Sequence, residues 1–274
     1  MSQATIDESS QFKHSVLVDA DANDFARQEF VKSFKLHIAS RIAPGNRGLY
    51  ETQVVPEIKA ETGKEPDNRQ QVRKKMEQQQ LYQFWSSLLR SSQEMMWKSV
   101  QLPVQRQWQA LLDSVNGSSS EYATLALDPD LEIPRYHRQV DIHCQPGGYH
   151  TEQTENDVVA GAIYDRAVYI YAMGRMGPFN DDMGASTVAH LKQLKPDFKP
   201  RRILDLGCSV GHSTIPYADA YPDAEVYAID VAAPMLRYAH ARAEALGKRI
   251  HYSQQNAEQT NFPSGHFDLI VSHI

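Results

Sequence analysis

The stretch Arg202-Ile-Leu-Asp-Leu-Gly-Cys-Ser-Val-Gly-His-Ser-Thr214 decides the fold of this chain. Its mostly apolar first part contains a carboxylate, and Gly207, Gly211 and the polar pair at 213–214 follow. The pattern predicts a buried strand, a tight loop and the N-terminus of a helix. These are the parts that form a nucleotide-binding crevice in an open α/β sheet.

Alternating strands and helices continue toward the end of the chain. The predicted elements are strands at 202–206, 225–230, 250–254 and 267–272, and helices near 213–221 and 233–246. Strand–helix–strand repeats of this length indicate parallel strands with right-handed crossovers. We therefore expect an α/β fold whose Rossmann-like parallel sheet has four strands and follows a mostly helical N-terminal domain.

Three parts of different character are predicted along the chain. Residues 1–120 form a helical region that ends at a run of small residues, 121–200 form a helical linker or lid, and 201–274 form the nucleoside-binding domain. Within the first part, we expect Pro103 to break a long helix, because proline lacks the amide hydrogen that an inner helical turn needs.

Composition narrows the class of protein. The 274 residues carry a formal charge of −6, and residues 121–274 hold 13 basic against 20 acidic side chains, which argues against a nucleic-acid-binding surface. No run approaches 18 apolar residues, so we expect no membrane span. Only two cysteines are present and the N-terminus lacks a basic cap before an apolar run. These features predict a reducing, cytoplasmic location.

Two phosphate-bearing ligands fit the glycine loop poorly. A triphosphate-binding loop needs a lysine after its last glycine, and His212 stands there instead. A dinucleotide-binding loop needs three glycines, but Ser209 and His212 occupy the second and third of those positions.

Carboxylates at the ends of the first two strands favour a cationic nucleoside. Asp205 would repel a pyrophosphate and attract an ammonium group, and S-adenosylmethionine carries an ammonium and a sulfonium but no phosphate. Asp230 lies 25 residues later, at the end of the second strand, where its two oxygens can accept hydrogen bonds from both ribose hydroxyls.

Four motifs in order resemble those of class I S-adenosylmethionine-dependent methyltransferases of the ubiquinone-biosynthesis-like kind. They are Asp-Leu-Gly-Cys-Ser-Val-Gly at 205–211, Ala-Ile-Asp at 228–230, Asn-Ala-Glu at 256–258 and Phe-Asp-Leu-Ile-Val at 267–271. The resemblance covers residues 201–274 and does not extend to the first 120 residues.

The resemblance implies a set of cofactor-binding residues. Asp205, Gly207, Cys208 and Gly211 would lie at the methionine end, Asp230 at the ribose, Val231, Asn256 and Ala257 at the adenine, and Ser272 and His273 beside the sulfonium. Ser209 replaces a usual middle glycine, and Asn256 stands where the family often has aspartate. Cys208 is expected to be a packed small residue rather than a reactive thiol.

Methyl transfer from a sulfonium requires alignment and exclusion of water more than a fixed catalytic group, so no catalytic residue is assigned. Tyr149, His150 and Tyr164 precede the sheet, where they would either cover a substrate or pack as ordinary amphipathic residues. A metal site made of His143, Cys144 and His150 is not expected, because their spacing matches no tetrahedral pattern.

The leading functional hypothesis is a methyltransferase that acts on a small-molecule metabolite. Two alternatives stay open: a repurposed, non-catalytic S-adenosylmethionine-binding protein, and a helical interaction module in which residues 1–120 dominate. The helical region could also form a homodimer. Because the resemblance implies seven strands, we expect a domain that is incomplete at Ile274, with an apolar edge at 269–274 and part of the substrate pocket missing.

Overall fold

A computed structural model describes residues 10–140 and 142–273. The predicted absence of a leader concerns mainly residues 1–9, which lie outside the described residues, as does Ile274 at the end of the predicted apolar edge. The sheet contains β1 (Thr124–Ala126), β2 (Arg202–Leu206), β3 (Glu225–Asp230), β4 (His251–Gln254) and β5 (Leu269–Val271). All strands are parallel, in the order β1-β4-β3-β2-β5, which confirms the α/β class.

The predicted strand count was wrong, because the sheet has a fifth strand that precedes the other four in the chain. Thr124 to Ala126 pairs in parallel with the start of β4, at His251 to Ser253. The carboxylate of Glu244 anchors the chain before β1 by accepting the backbone amides of Glu121, Tyr122 and Ala123. The strand is therefore held by groups more than 100 residues away, which no local sequence pattern reveals.

Helices make up most of the remaining structure. They are α1 (Ala22–His37), α2 (Ala43–Leu49), α3 (Val55–Thr62), α4 (Arg69–Met76), α5 (Gln80–Arg106), α6 (Trp108–Asn116), α7 (Arg135–Gln139), α8 (Val159–Tyr171), α9 (Asp182–Leu194), α10 (Ile215–Ala220) and α11 (Ala233–Ala245). Two π-helical turns, Ile38–Ile42 and Tyr50–Val54, join α1 to α2 and α2 to α3. The N-terminal part is thus helical, as predicted. Within the described residues, no helix is both long enough and apolar enough to span a bilayer.

The expected break at Pro103 was wrong, because α5 continues through this residue to Arg106. Proline donates no hydrogen bond to the carbonyl four residues earlier, which is that of Ser99. The side-chain amide of Gln28, on α1, donates to this carbonyl at 3.5 Å. A contact between two helices therefore satisfies the acceptor that Pro103 leaves open.

Helix α11 connects the sheet to the helical part. One side packs on the sheet, where Leu236 and Ala239 join a buried cluster with Val226. Its other side contacts α8 closely: a Cβ added at Gly161 would lie 2.5 Å from the Cβ of Tyr238. Because only glycine fits at this contact, α8 is held against the helix that follows β3.

Helix α9 packs against the glycine loop just as closely. A Cβ added at Gly184 would lie 2.3 Å from the carbonyl oxygen of Ser213. Helices α8 and α9, with the segment between them, therefore border the carboxyl ends of the strands. The elements that precede the sheet thus enclose the region where the sequence places the nucleoside site.

Candidate active site

The glycine loop leaves β2 through three residues in the left-handed region. Gly207, Ser209 and Gly211 have φ values of +74°, +52° and +77°. The backbone amides of Gly207 and Cys208 both donate to the carbonyl of Ile229, at 2.8 and 3.0 Å, so the loop is tied to β3. Ser209 adopts a conformation that favours glycine, which explains why a glycine is usual at this position.

Asp205 lies on β2 at the base of this loop and is only 2% exposed. One of its carboxylate oxygens, Oδ2, accepts a hydrogen bond from the hydroxyl of Thr214 at 2.6 Å. Burial raises the pKa of Asp205 to about 6, although the hydrogen bond from Thr214 favours the ionised form. A buried carboxylate of this kind gains most from a cationic partner.

Asp230, at the end of β3, organises the glycine loop. Its Oδ2 accepts the backbone amide of Ser209 and its Oδ1 accepts that of Ala232, both at 2.9 Å. Burial raises its pKa, against the effect of these amides. Each oxygen keeps a second lone pair that a ribose hydroxyl can use. The sequence motif predicts that Asp230 binds the ligand, but it does not reveal the role of Asp230 in the loop.

A cavity of about 430 Å³ opens on the glycine loop. Its volume lies within the usual range for small-molecule pockets, about 300–1,000 Å³. The residues from the sheet side are Asp205, Gly207, Cys208, Ser209, His212, Ser213 and His273. The residues from the helical side are Gln93, Met96, Trp97, His143, Tyr149, Tyr164, Ala167, Val168, Tyr171, Met176, Asn180 and Met183.

Of the predicted cofactor-binding residues, the cavity brings together Asp205, Gly207, Cys208 and His273. A Cβ added at Gly207 would meet no atom within 4 Å, so the backbone there is open to a close approach from the cavity. Cys208 is buried, and burial raises the pKa of its thiol well above the ordinary value. The thiol is therefore protonated at neutral pH and suits the predicted packing role.

The remaining predicted residues, including Asp230, lie outside the cavity lining. Gly211 packs against the hydroxyl of Tyr252, and Val231 is buried. The side-chain oxygen Oδ1 of Asn256 accepts a hydrogen bond from the backbone amide of Glu258, and Ala257 is exposed. The hydroxyl of Ser272 donates to the carbonyl of Leu206. The cavity thus corresponds to the predicted methionine end of the site. Of the residues predicted for the adenine, Val231 follows β3, and Asn256 and Ala257 follow β4.

A buried polar cluster joins the glycine loop to the helical part. Asp165, on α8, accepts hydrogen bonds from His212 at 2.7 Å, His14 at 3.0 Å, Tyr238 at 2.9 Å and Gln11 at 3.0 Å. Burial alone would raise the pKa of Asp165, but the hydrogen bonds from the two histidines hold it well below its usual value. Since an ionised carboxylate only accepts, both histidines present an N–H to it.

Trp97 is buried in the helical core, and it also belongs to the cavity wall. Its indole N–H donates at 2.6 Å to the carbonyl of His143, which Gln93 also contacts at 2.6 Å. His143 and Cys144 both have positive φ, so this turn is held over the cavity in a conformation that few residues adopt. No signal in the sequence marks this turn, because its contacts are 46 to 50 residues away.

Comparison with known families decides the identity of the C-terminal part. A family model described as a methyltransferase domain matches residues 203–274. Residues 203–274 match a methyltransferase domain, in agreement with the resemblance to class I S-adenosylmethionine-dependent methyltransferases. The match includes the glycine loop, Asp230 and β5, which are the motifs that carry the resemblance found in the sequence.

Relatives of this methyltransferase domain occur in several enzymes. The chain is 38% identical over 72 residues to demethylmenaquinone methyltransferase of Thermus thermophilus, covering 26% of this chain and 33% of that protein. It is 34% identical over 85 residues to malonyl-[acyl-carrier protein] O-methyltransferase of Halorhodospira halophila, covering 31% and 28%. The chain therefore spans a third or less of the length of these curated relatives.

Solved structures resemble the same methyltransferase domain. Phosphoethanolamine N-methyltransferase 2 of Haemonchus contortus, in complex with S-adenosyl-L-methionine, is 26% identical over 32% of this chain and 20% of that chain, with a TM-score of 0.28.

Within the described residues, no group of three or more His, Cys, Asp or Glu side chains is placed to hold a metal ion.

Proposed function

We propose that the protein is an S-adenosylmethionine-dependent methyltransferase that acts on a small molecule. The observation that carries this proposal is the placement of Asp205 and the open backbone of Gly207 in one wall of the cavity. Of the described residues that line this cavity, none is a lysine or an arginine. Asp205 in this wall suits the ammonium group of the methionine end, which carries a carboxylate but no phosphate.

The residues present fit the methionine and ribose ends of the cofactor. When bound, S-adenosylmethionine supplies a methyl group made electrophilic by its sulfonium. Asp205 would hold the ammonium group, Gly207 would allow close approach of the backbone, and Asp230 would accept the ribose hydroxyls while it fixes the loop. The other predicted positions, Val231, Asn256, Ala257 and Ser272, stay predictions for the adenine and sulfonium surroundings.

The helical parts would exclude water and bind the acceptor. Residues 121–200 supply His143, Tyr149 and Tyr164 to the cavity, which supports the proposed lid, and residues 1–120 supply Trp97. Alignment of the acceptor and removal of water are the main contributions that a protein makes to this transfer.

Two further parts of the proposal concern the setting in which the protein acts. We propose a cytoplasmic location, supported by the two cysteines, Cys144 and Cys208, which form no disulfide with each other.

We also propose a homodimer through the helical region, supported by the exposed side chains of Phe25, Phe30 and Phe84 on α1 and α5. Light scattering of the wild-type chain and of Phe30→Glu tests the dimer, which that variant should weaken.

Calorimetric titration with S-adenosylhomocysteine tests the binding site. We expect Asp230→Ala to weaken binding about tenfold or more, because it removes the ribose acceptors and loosens the loop. The matched control is Asp268→Ala, since Asp268 also accepts two backbone amides, at 2.8 and 3.0 Å, but at the opposite end of β2. Equal affinities in wild type and Asp230→Ala would contradict the ribose assignment.

Product analysis tests the reaction itself. The full chain is incubated with S-adenosylmethionine and a small-molecule extract, and mass spectrometry detects compounds that gain one methylene unit. We expect at least one such product, which should be absent with Asp205→Asn. Tight binding of S-adenosylhomocysteine without any product would favour the alternative of a non-catalytic nucleoside-binding protein.

A further inference from the structure

The helical wall of the cavity is apolar and adaptable. Three methionines contribute to it, Met96 on α5, Met176 before α9 and Met183 on α9. Thioether side chains are flexible and polarizable, and they pack well on aromatic rings. The rings of Trp97 and Tyr164 also line this wall. Aromatic side chains of this kind pack well against the ring of an aromatic ligand.

The described lining residues of this cavity include no lysine or arginine that would pair with an anion. Its tyrosines are neutral, since burial raises the pKa of both Tyr149 and Tyr164. Burial also lowers the pKa of His212 and of His273, so both imidazoles favour the neutral form. The lining also contains a third histidine, His143, and its acidic residue among those described is Asp205. A carboxylate or phosphate on the acceptor would find no lysine or arginine there to offset its desolvation.

One buried polar atom in this wall lacks a partner. Asn180 is fully buried, and its side-chain amide donates to the carbonyl oxygen of Asp165 at 3.1 Å. That hydrogen bond fixes the orientation of the amide and identifies Oδ1 as the other polar atom of this side chain. Oδ1 has no hydrogen-bond partner among the described residues. A buried acceptor without a partner is costly, by about 1–3 kcal/mol, and a ligand that donates to it recovers this energy.

The backbone at Asn180 is also unusual. Its φ is +56°, in the region that non-glycine residues seldom adopt. Asparagine tolerates this conformation better than most residues. The amide is therefore held in the cavity wall by the local backbone and by its contact with α8.

We propose that this cavity binds a neutral, mainly apolar aromatic acceptor whose hydroxyl or amino group donates a hydrogen bond to Oδ1 of Asn180. This inference rests on the proposed function and specifies its substrate class. Asn180 acts as a specificity-determining residue: a substrate without the donor would leave the buried acceptor unsatisfied.

Three probes of similar shape separate the chemical contributions. 2-Naphthol carries the donor, 2-methoxynaphthalene lacks it, and 2-naphthoate replaces it with a negative charge. Affinities are measured through quenching of tryptophan fluorescence, with and without saturating S-adenosylhomocysteine. We expect 2-naphthol to bind about tenfold more tightly than either of the other two probes, since a buried polar group is then paired.

Asn180→Leu should abolish this preference by weakening 2-naphthol alone. The matched control is Asn156→Leu, because Asn156 has the same φ of +56° but is exposed and outside the cavity lining. Both variants carry the same backbone penalty, and only the first changes the cavity. If Asn180→Leu does not fold, Met183→Glu should remove 2-naphthol binding, because it places a carboxylate in the apolar wall.

The possible results distinguish a failure of this inference from a failure of the proposed function. Equal affinity for 2-naphthol and 2-methoxynaphthalene, or tighter binding of 2-naphthoate, would overturn this inference and leave the proposed function standing if S-adenosylhomocysteine binds. A parallel loss of S-adenosylhomocysteine affinity in Asn180→Leu would give Asn180 to the cofactor instead. Failure of S-adenosylhomocysteine to bind the wild-type chain would contradict the proposed function, while the preference among probes would still decide the role of Asn180.

Discussion

The imidazole of His212 lies 2.7 Å from the carboxylate of Asp165, so the glycine loop and helix α8 share one buried contact. His14 joins the same carboxylate from the N-terminal segment. Three distant segments of the chain therefore meet at a single charged group. This contact therefore fixes the helical part, which lies outside the methyltransferase domain, against the loop at the cavity.

Asp165→Asn is expected to lower the free energy of unfolding by about 3–5 kcal/mol, because several buried donors lose their acceptor. Urea denaturation measures this loss. Asp197→Asn is the control, since Asp197 is exposed and precedes β2. The expected difference should fade in strong acid, where the low folded-state pKa of Asp165 is reached and its stabilising charge is lost. A change below about 1 kcal/mol would contradict the structural role.

Gly207→Ala is expected to weaken S-adenosylhomocysteine binding about tenfold or more, because its methyl group would occupy the space that the ligand needs. Gly265→Ala is a matched control: φ is +74° at Gly207 and +72° at Gly265, and neither added Cβ meets an atom within 4 Å. Both variants should lose about 1 kcal/mol of stability through backbone strain. Similar affinities for the two variants would show that Gly207 does not face the ligand.

Binding of S-adenosylhomocysteine should strengthen between pH 5 and pH 7. The folded-state pKa of Asp205 is about 6, so the carboxylate that attracts the ammonium group is lost as the pH falls through this value. Affinity should drop about tenfold for each pH unit below 6. Calorimetry over this range measures the effect, and Asp205→Asn should bind weakly with little pH dependence. A flat profile for the wild type would argue against the ion pair.

The effect of Asp205 on folding stability should have the opposite pH dependence to its effect on ligand binding. A raised folded-state pKa means that the folded protein binds the proton more tightly than the unfolded chain between about pH 4 and pH 6. Its contribution to stability therefore decreases as the pH rises through this window. In the absence of ligand, Asp205→Asn should be less sensitive to pH there than the wild type.

Glu244→Gln is expected to cost about 1–3 kcal/mol of stability, because it weakens the acceptor for three backbone amides before β1. The hydroxyl of Ser119 also donates to this carboxylate, at 2.6 Å. Hydrogen exchange should show the largest loss of protection at Thr124 to Ala126. Protection that is unchanged in this segment would mean that pairing with β4 alone holds β1.

Much of the methyltransferase domain could be predicted from the sequence. The strands at 202–206 and 225–230 lie within the predicted bounds, because apolar runs that end in acids and glycines carry a strong local signal. The helix predicted near 233–246 was also found with close bounds, Ala233–Ala245. These elements depend on residues close to one another in the chain.

Features that depend on distant contacts were missed. β1 has three residues and takes its identity from β4, and α5 continues past Pro103 because Gln28 satisfies the open carbonyl. The same limit applies to the site. Asp205 and Gly207 could be placed from their motif, whereas Asn180 enters the cavity wall through folding of the chain before the sheet.

The most direct test of the central claim compares the affinity of the full chain for S-adenosylhomocysteine, ATP and NAD⁺ by calorimetry at pH 7. We predict that S-adenosylhomocysteine binds at least about tenfold more tightly than either phosphate-bearing ligand, because Asp205 attracts its ammonium group and repels phosphate. Asp205→Asn should narrow this gap. ATP or NAD⁺ binding as tightly as S-adenosylhomocysteine, or an unchanged gap in Asp205→Asn, would contradict the account.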